Sequence, residues 1–355
     1  MAGKGLEGVV AAQTALSHVF GNDGRLIYRG YEIQDLAENV SFEETCHLLW
    51  FGELPTAQQL ESTRSALIAS LPVESSVLDL LRTEGPGAHP MSLLRTSISA
   101  LGLRDPDAES NQPEASLRKA FRLTAQAITI TAAIVRLRQG KPLLQPRTDL
   151  GLAANLLYMM HGEVPDPLKT RIIDVALTLH AEHAMNASTF AARVAAGTLS
   201  DMHSAVIAAI STLKGPLHGG ANEQVMGMLL EIETPDRAEH WVRDALARGE
   251  KIMGFGHRVY RTTDPRAPIL KRLAEELNAR QASPWLAISE RIQAAVREEM
   301  DRKGKQIYPN VDFFSASVYY TLGIPKDVFT NLFACARMSG WTAHIMEQYA
   351  NNRLI

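Results

Sequence analysis

Four short segments of the chain combine histidine, aspartate and arginine in patterns that suit acid–base chemistry. They are 180–183 (HAEH), 216–223 (PLHGGANE), 254–261 (GFGHRVYR) and 309–312 (PNVD). Histidine exchanges protons near neutral pH, and a carboxylate acts as a base when a partner stabilises the charge that forms. These segments are therefore the candidates for a functional site, although each also has a purely structural interpretation.

His180 and His183 are three positions apart, so on a helix they share one face. Such a pair is either two metal ligands or two polar groups that form hydrogen bonds in a core or cleft. The segment has no neighbouring cysteine and no HExxH pattern. We therefore favour the hydrogen-bonded pair and predict no metal site.

His218 lies between Pro216 and two glycines, at the start of a predicted helix that carries Asn222. Backbone N–H groups and the positive end of the helix dipole favour a neutral imidazole at such a position. A neutral histidine can donate a hydrogen bond to a developing enolate. The alternative is a histidine that only caps a loop.

His257 lies in the densest basic patch of the chain, and Gly254 and Gly256 allow a ligand to approach the backbone. The basic residues are Lys251, Arg258, Arg261, Arg266 and Lys271. Guanidinium groups beside backbone amides suit phosphate or carboxylate. The alternative is an ordinary solvated basic loop.

Asp312 precedes a predicted helix, where it is either the N-cap, with Ser315 at the third helical position, or a general base. The two interpretations are compatible, because a cap residue that faces a cleft can also accept a proton.

Most of the chain shows the apolar periodicity of helices, which predicts an all-α fold. A capping box at Ser41–Glu44 predicts one helix start, and the segments 16–20 and 25–31 predict a short N-terminal β-hairpin. The other predicted helices span 58–70, 92–101, 113–139, 149–161, 167–196, 205–213, 222–232, 237–248, 269–278, 285–299, 313–322 and 328–350.

Glycine and proline concentrate near 214–220 and 323–325, which predicts two domain seams. A smaller helical domain over 216–324 would then be inserted into a large helical domain formed by 1–215 and 325–355. A cleft between the two domains is the expected place for the site.

Composition restricts the possible partners and compartments. The 355 residues include 36 Lys+Arg and 39 Asp+Glu, for a net charge of -3, so no overall charge favours nucleic acid or an anionic membrane. Cys46 and Cys335 lie in apolar surroundings and are expected in the core. The sequence shows neither a leader-like apolar stretch near its start nor a run of about 20 apolar residues, so we expect a cytoplasmic protein.

Three segments together resemble the citrate synthase family: 215–223 (GPLHGGANE), 253–267 (MGFGHRVYRTTDPRA) and 308–313 (YPNVDF). The resemblance covers essentially the whole chain. It implies a two-domain helical homodimer. The implied reaction, which belongs to the tricarboxylic acid cycle, condenses acetyl-CoA, as a co-substrate, with oxaloacetate and then hydrolyses the thioester. It also implies no metal and no permanently bound cofactor.

The resemblance assigns a role to each candidate residue. Asp312 matches the base that removes the methyl proton, His218 the group that stabilises the thioester oxygen, and His257 the group that polarises the ketone of oxaloacetate. The matching oxaloacetate contacts are His183, Asn186, Arg266 and Arg337. On the CoA side, Arg261 and Lys305 match residues near the phosphates, and the backbone of Lys251 to Gly256, including Gly254 and Phe255, matches the loop that reads adenine.

One feature departs from the family pattern. Related chains continue past this point with an Arg-Pro pair, and an arginine there reaches into the partner subunit's site, whereas this sequence ends at Arg353-Leu354-Ile355. We therefore expect either further residues or an oxaloacetate site without that arginine.

Three alternatives to citrate synthesis are left open. 2-Methylcitrate synthesis from propanoyl-CoA uses the same residues, and one methylene changes binding by only about 1 to 3 kcal/mol, so the motifs do not discriminate. A non-catalytic assembly protein on the same fold and a metal-dependent helical enzyme built around His180 and His183 are more distant.

Overall fold

Helices account for most of the structure, a computed structural model that describes residues 10–85 and 87–355. Over those residues it has sixteen α-helices: α1 (Ile33–Asn39), α2 (Phe42–Phe51), α3 (Ala57–Ala69), α4 (Ser75–Glu84), α5 (Pro90–Gly102), α6 (Pro113–Arg138), α7 (Leu152–His161), α8 (Pro167–His180), α9 (Ala187–Gly197), α10 (Met202–Leu213), α11 (Ala221–Ile232), α12 (Pro235–Ala247), α13 (Arg266–Arg280), α14 (Trp285–Arg302), α15 (Val311–Thr321) and α16 (Phe329–Ala350). The predicted all-α class is confirmed.

The predicted N-terminal hairpin is also confirmed, and a third short strand extends it. Strands β1 (Ser17–Phe20), β2 (Arg25–Tyr28) and β3 (Tyr31–Glu32) form an antiparallel sheet in that order. Between β2 and β3, Arg29 has φ 49° and Gly30 has φ 94°. Two consecutive residues with positive φ suit a two-residue hairpin turn that matches the strand twist.

Helix α6 and helix α16 pack side by side in the hydrophobic core. By length and composition alone, helix α6 could cross a membrane, but 78% of its most apolar 18-residue stretch is buried inside the protein. Cys46 and Cys335 are both free and buried, which confirms their predicted place in the core.

Local signals explain most helix starts. Ser41 and Glu44 form the predicted capping box at α2, and Thr56 and Gln59 form a second one at α3. Helices α1 and α4, which the sequence pattern did not predict, begin without a side-chain cap.

The single helix predicted over 167–196 is wrong, because the chain breaks between α8 and α9. Ala184 adopts φ 49°, a left-handed conformation that no helix continues. Asn186 then caps the new helix, since its side chain accepts hydrogen bonds from the N–H groups of Ser188 and Thr189. Because the apolar periodicity of the sequence continues across the break, the pattern predicted one helix where the structure has two.

Helices α11 to α15 pack mainly against one another, through the pairs α12–α14, α13–α15 and α11–α15. They contact the rest of the fold mainly through α11 with α16, through α13 with α8 and α1, and through the 3₁₀ turn Lys326–Val328. This packing agrees with a smaller unit over 216–324, and the division of the chain into domains stays a prediction.

Candidate active site

Three aromatic rings from two loops form the centre of the candidate site. The ring centroids of His183 and His257 are 5.3 Å apart, and Tyr260 lies 5.6 Å from the first and 4.6 Å from the second. His183 comes from the loop between α8 and α9, whereas His257 and Tyr260 precede α13. Tertiary packing therefore joins two segments that are far apart in sequence.

The N-terminal hairpin holds both of these loops. The Ser17 hydroxyl donates to the Glu182 carboxylate and accepts from the N–H of Ala184, while the Tyr28 hydroxyl donates to the carbonyl of Glu182. At the hairpin turn, the carbonyl of Gly21 accepts from the N–H of Arg261 at 2.9 Å. The sheet thus fixes the His183 loop on one side and the His257 loop on the other.

His257 is held in one tautomer by the main chain. Its Nδ1 atom is 3.0 Å from the N–H of Val259 and 3.1 Å from that of Tyr260. Because a backbone N–H can only donate, Nδ1 accepts and the ring proton lies on Nε2. Burial and the Arg266 charge lower the pKa of His257 to about 4, so the ring is neutral at pH 7. A neutral Nε2–H donor suits a carbonyl oxygen.

His218 lies in the turn before α11, and its Nε2 atom is 2.9 Å from the hydroxyl of Ser188 and 3.3 Å from that residue's N–H. This N–H, which is shared with the side-chain oxygen of Asn186, can only donate to Nε2, and on that contact we assign the ring proton to Nδ1. Burial and the Arg337 charge lower the pKa of His218 to about 4. The imidazole is therefore neutral at pH 7. The main cause of its low pKa is burial, whereas the sequence pattern had suggested the start of the helix as the cause.

Glycine is required beside His218 for packing. A Cβ atom on Gly219 would lie 2.4 Å from the carbonyl oxygen of Leu213, a distance that real side chains do not adopt. The N–H of Gly219 donates to that same carbonyl. The glycine therefore fixes the tight turn that presents His218.

Asp312 is not the cap of its helix, contrary to one of the two sequence interpretations. Asn310 is the N-cap of α15, and its side chain accepts from the N–H of Asp312, which is the second residue of the helix. The Asp312 carboxyl is half-buried, and burial raises its pKa to about 7 against the opposing charges of Arg266 and Arg337. A carboxylate with this pKa is a far better base at neutral pH than an exposed one.

Arg266 is buried and forms a bidentate ion pair with Asp264, at 2.9 Å from Nε and 2.8 Å from the terminal nitrogen. Asp264 also accepts from the N–H of Val311, which links Arg266 to the start of α15. Burial favours a lower pKa for Arg266, but the Asp264 carboxylate outweighs it and raises the pKa. The guanidinium therefore stays charged inside the fold.

Asp264→Asn is expected to lower the free energy of unfolding by about 3 kcal/mol, because breaking a buried ion pair leaves an uncompensated charge. The exposed pair Arg248–Glu250 is a matched control, since it is also bidentate with two-residue spacing. Glu250→Gln should leave the unfolding transition almost unchanged. Equal denaturation midpoints for both variants would contradict the role of Asp264.

Arg337, in α16, is buried, and its Nε atom donates to the carbonyl of His180 at 2.7 Å. Its guanidinium lies 4.7 Å from the ring centroid of Phe333, and the His218 ring is 6.5 Å from the same ring. Burial lowers the pKa of Arg337 to about 10, which still leaves it charged at pH 7. Arg337 is thus near His218.

The prediction that His180 and His183 share a helical face is wrong, because α8 ends at His180 and His183 lies in the following loop. His180 is buried and its Nδ1 atom contacts the carbonyl of Ala176 at 2.7 Å. Over the described residues, no group of three or more His, Cys, Asp or Glu side chains is arranged to hold a metal ion. His180 acts as a core histidine that also presents its carbonyl to Arg337.

Asn186 is committed to the cap of α9. Its side-chain oxygen accepts from the N–H groups of Ser188 and Thr189 and from the Ser188 hydroxyl. Because Ser188 contacts His218, the amide of Asn186 supports that histidine indirectly.

The predicted CoA-binding residues lie on loops and are exposed or half-buried, except for Gly254, which is buried. Phe255 pairs with Pro309 in a short antiparallel bridge, and Lys251, Arg261 and Lys305 are exposed. Gly254 and Gly256 both have positive φ. A Cβ atom on Gly254 would clash with Phe313 at 2.8 Å, so that glycine serves internal packing rather than the approach of a ligand.

Three residues of the site were missed as functional candidates. They are Ser188, Tyr260 and Asp264. The two-residue spacing of Asp264 and Arg266 is a signal that could have suggested an ion pair. The contacts of Ser188 and Tyr260 leave no signal in the sequence, because each partner lies on a different element.

Known proteins are similar to this chain over almost its whole length. A protein-family profile described as citrate synthase, C-terminal domain, matches residues 5–355. "Citrate synthase 2" of Bacillus subtilis (strain 168) is 49% identical over 99% of this chain and 93% of its own length. "2-Methylcitrate synthase" of Mycobacterium tuberculosis (strain H37Rv) is 46% identical over 99% of this chain and 88% of its own. A solved structure of citrate synthase from Thermoplasma acidophilum, a ternary complex with carboxymethyl coenzyme A and oxaloacetate, superposes with a TM-score of 0.93 at 33% identity, covering 99% of this chain and 93% of that one.

Proposed function

The chain belongs to the citrate synthase family, and on that premise we propose that it condenses acetyl-CoA with oxaloacetate and water to give citrate and CoA. One observation supports the proposal above others: tertiary packing brings the candidate groups together. The Asp264 carboxylate that pairs with Arg266 also accepts from the N–H of Val311, the residue before Asp312, and the rings of His183 and His257 are 5.3 Å apart. The Arg337 guanidinium and the His218 ring both contact the ring of Phe333. Two cations thus lie among a base and three neutral imidazoles.

Each group has a task in the condensation. The Asp312 carboxylate takes a proton from the methyl group of acetyl-CoA, and the Nδ1–H of His218 donates to the thioester oxygen as the enolate forms. The enolate carbon then forms a bond to the ketone carbon of oxaloacetate, and the electron pair of the carbonyl bond moves to the ketone oxygen, which is hydrogen-bonded to Nε2 of His257. That oxygen takes up one proton, in balance with the proton that Asp312 removed from the methyl group, and becomes the hydroxyl of citryl-CoA. Water finally cleaves the thioester C–S bond of the citryl-CoA, and the thiol of CoA leaves with a proton.

Oxaloacetate carries two carboxylates, and two buried guanidinium groups suit them. Arg266 and Arg337 each retain N–H groups beyond those that bind Asp264 and the carbonyl of His180. Hydrogen bonds between charged partners contribute about 1.5 to 3 kcal/mol each. His183 and His257 add a neutral face between these charges.

Acyl-CoA is proposed to bind along the exposed edge of the site. Arg261 and Lys305 offer positive charge for the phosphates, and the backbone from Lys251 to Gly256, with Gly254 and Phe255, is proposed to read the adenine. We infer no permanently bound cofactor, a homodimer as in the family pattern, and a cytoplasmic location. The two free buried thiols support a reducing compartment.

Propanoyl-CoA is the second candidate substrate, since the related 2-methylcitrate synthase is 46% identical. The test is steady-state CoA release with saturating oxaloacetate and either acyl-CoA. We expect a higher kcat/KM for acetyl-CoA. A preference for propanoyl-CoA would move the function to methylcitrate synthesis, and release with neither substrate would overturn the proposal.

A further inference from the structure

Tyr260 packs against both of the histidines that are proposed to face oxaloacetate. Its side chain is buried, with 3% exposure, and its hydroxyl oxygen is 3.2 Å from Nε2 of His183. Its ring lies 4.6 Å from that of His257, centroid to centroid, at an interplanar angle of 46°. A single side chain thus contacts both imidazoles.

The hydroxyl of Tyr260 sets the direction of its hydrogen bond to His183. Burial raises the pKa of Tyr260, so the phenol keeps its proton at pH 7. Burial, followed by the Arg266 charge, lowers the pKa of His183, so that ring is neutral. Buried phenol O–H groups find an acceptor, and a neutral Nε2 atom provides one. Tyr260 then donates, and the ring proton of His183 lies on Nδ1.

His257 is held differently. The N–H groups of Val259 and Tyr260 fix its tautomer through the main chain, and these bonds survive a change of the Tyr260 side chain. Removing only the hydroxyl therefore acts on His183, whereas removing the whole ring also loosens His257.

Resting on the proposed function, we propose that Tyr260 is a positioning residue for oxaloacetate binding: its hydroxyl holds the His183 ring in one tautomer and orientation against His257. The two imidazoles then present a fixed neutral face to the substrate. Side chains that are already held in the binding orientation bind a ligand more tightly, because less conformational entropy is lost when the ligand binds.

Tyr260→Phe tests this assignment, because it deletes one hydroxyl and leaves the ring. Loss of a hydrogen bond of ordinary strength is expected to raise the Kd and KM for oxaloacetate by about tenfold. The kcat should stay within about twofold of wild type and the KM for acetyl-CoA should not change, since the hydroxyl of Tyr260 forms its hydrogen bond with His183 and not with Asp312 or His218. In ¹⁵N-edited NMR spectra, the ring nitrogens of His183 should shift and those of His218 should not, a readout that a purely structural role would not give.

Tyr349→Phe is the matched control, because its half-buried hydroxyl donates to the carbonyl of Ser200, outside the site. It should bind oxaloacetate like wild type. Tyr260→Leu should add a fall in kcat as His257 loses its packing partner. Tyr260→Phe with an oxaloacetate Kd within twofold of wild type and unchanged His183 shifts would overturn the assignment.

Calorimetric titration with oxaloacetate separates this assignment from the proposed function, since it needs no acyl-CoA. A wild-type chain that binds oxaloacetate but releases no CoA overturns the function and leaves the Tyr260 comparison decisive. A wild-type chain that binds no oxaloacetate overturns both.

Discussion

Asp312→Asn is expected to lower kcat about 10³-fold, because general bases contribute factors of roughly 10² to 10⁴. Asparagine has nearly the same size and keeps an oxygen at this position, but it cannot take the methyl proton. The KM for oxaloacetate should change little, since Arg266 and Arg337 remain. The measurement is CoA release under saturating substrates, with oxaloacetate binding followed separately.

The pH dependence of wild type should identify the same group. Burial raises the pKa of Asp312 to about 7, so the base is protonated below that pH. The kcat/KM, which reports the free enzyme, should fall about tenfold per unit as the pH drops below about 7. A profile that stays flat from pH 8 to pH 5 would contradict Asp312 as the base.

Stability should move in the opposite direction to activity. The carboxyl of Asp312 titrates near 3.8 when unfolded and near 7 when folded, so the folded state holds more protons between those values. Stability contributed by this group therefore falls as the pH rises through that window. Asp312→Asn should unfold at a higher temperature than wild type at pH 8, and the difference should disappear near pH 4.

Asp174→Asn is the matched control for both effects. Burial, with a contribution from Glu43, also raises the pKa of Asp174 to about 7, but Asp174 lies in α8, where its carboxylate accepts from the N–H of Phe42. This variant should gain stability at pH 8 and keep wild-type activity. Loss of activity in both variants would show that a change of stability, rather than of the base, is responsible.

His218→Ala is expected to lower kcat by about 10² to 10³-fold, the usual effect of removing one donor to a developing oxyanion. We assign the ring proton to Nδ1, because Nε2 lies 3.3 Å from the N–H of Ser188, which can only donate. The donor is neutral, so this loss should be the same at pH 6 and at pH 8. Activity is measured as CoA release, relative to wild type at each pH.

His47→Gln controls for the loss of a buried imidazole. His47 is in α2 and its Nδ1 atom contacts the hydroxyl of Thr63 at 2.7 Å, within the helical core. This variant should lose stability but keep its kcat per folded molecule. The assignment of His218 fails if His218→Ala retains more than a third of wild-type kcat.

The sequence by itself indicated the family and the residue types that we propose for the site. The motifs around His218, His257 and Asp312 indicated acid–base groups, and their order along the chain indicated the family. Helix caps and apolar periodicity placed most helices, because those signals act over three or four neighbouring residues. The break between α8 and α9 was not predicted, because alanine at position 184 is not a residue type that signals a left-handed conformation.

Only the tertiary structure decided the hydrogen-bond partners and the pKa values of these groups. The hydroxyl of Tyr260 meets a histidine 77 positions away, and Ser17 meets Glu182 across 165 positions. The pKa near 7 of Asp312 comes mainly from burial, which many elements produce together. Hydrogen-bond direction and desolvation depend on packing between distant segments, and this is why the sequence suggested candidate residue types but not their tautomers, their pKa values or the role that we propose for Tyr260.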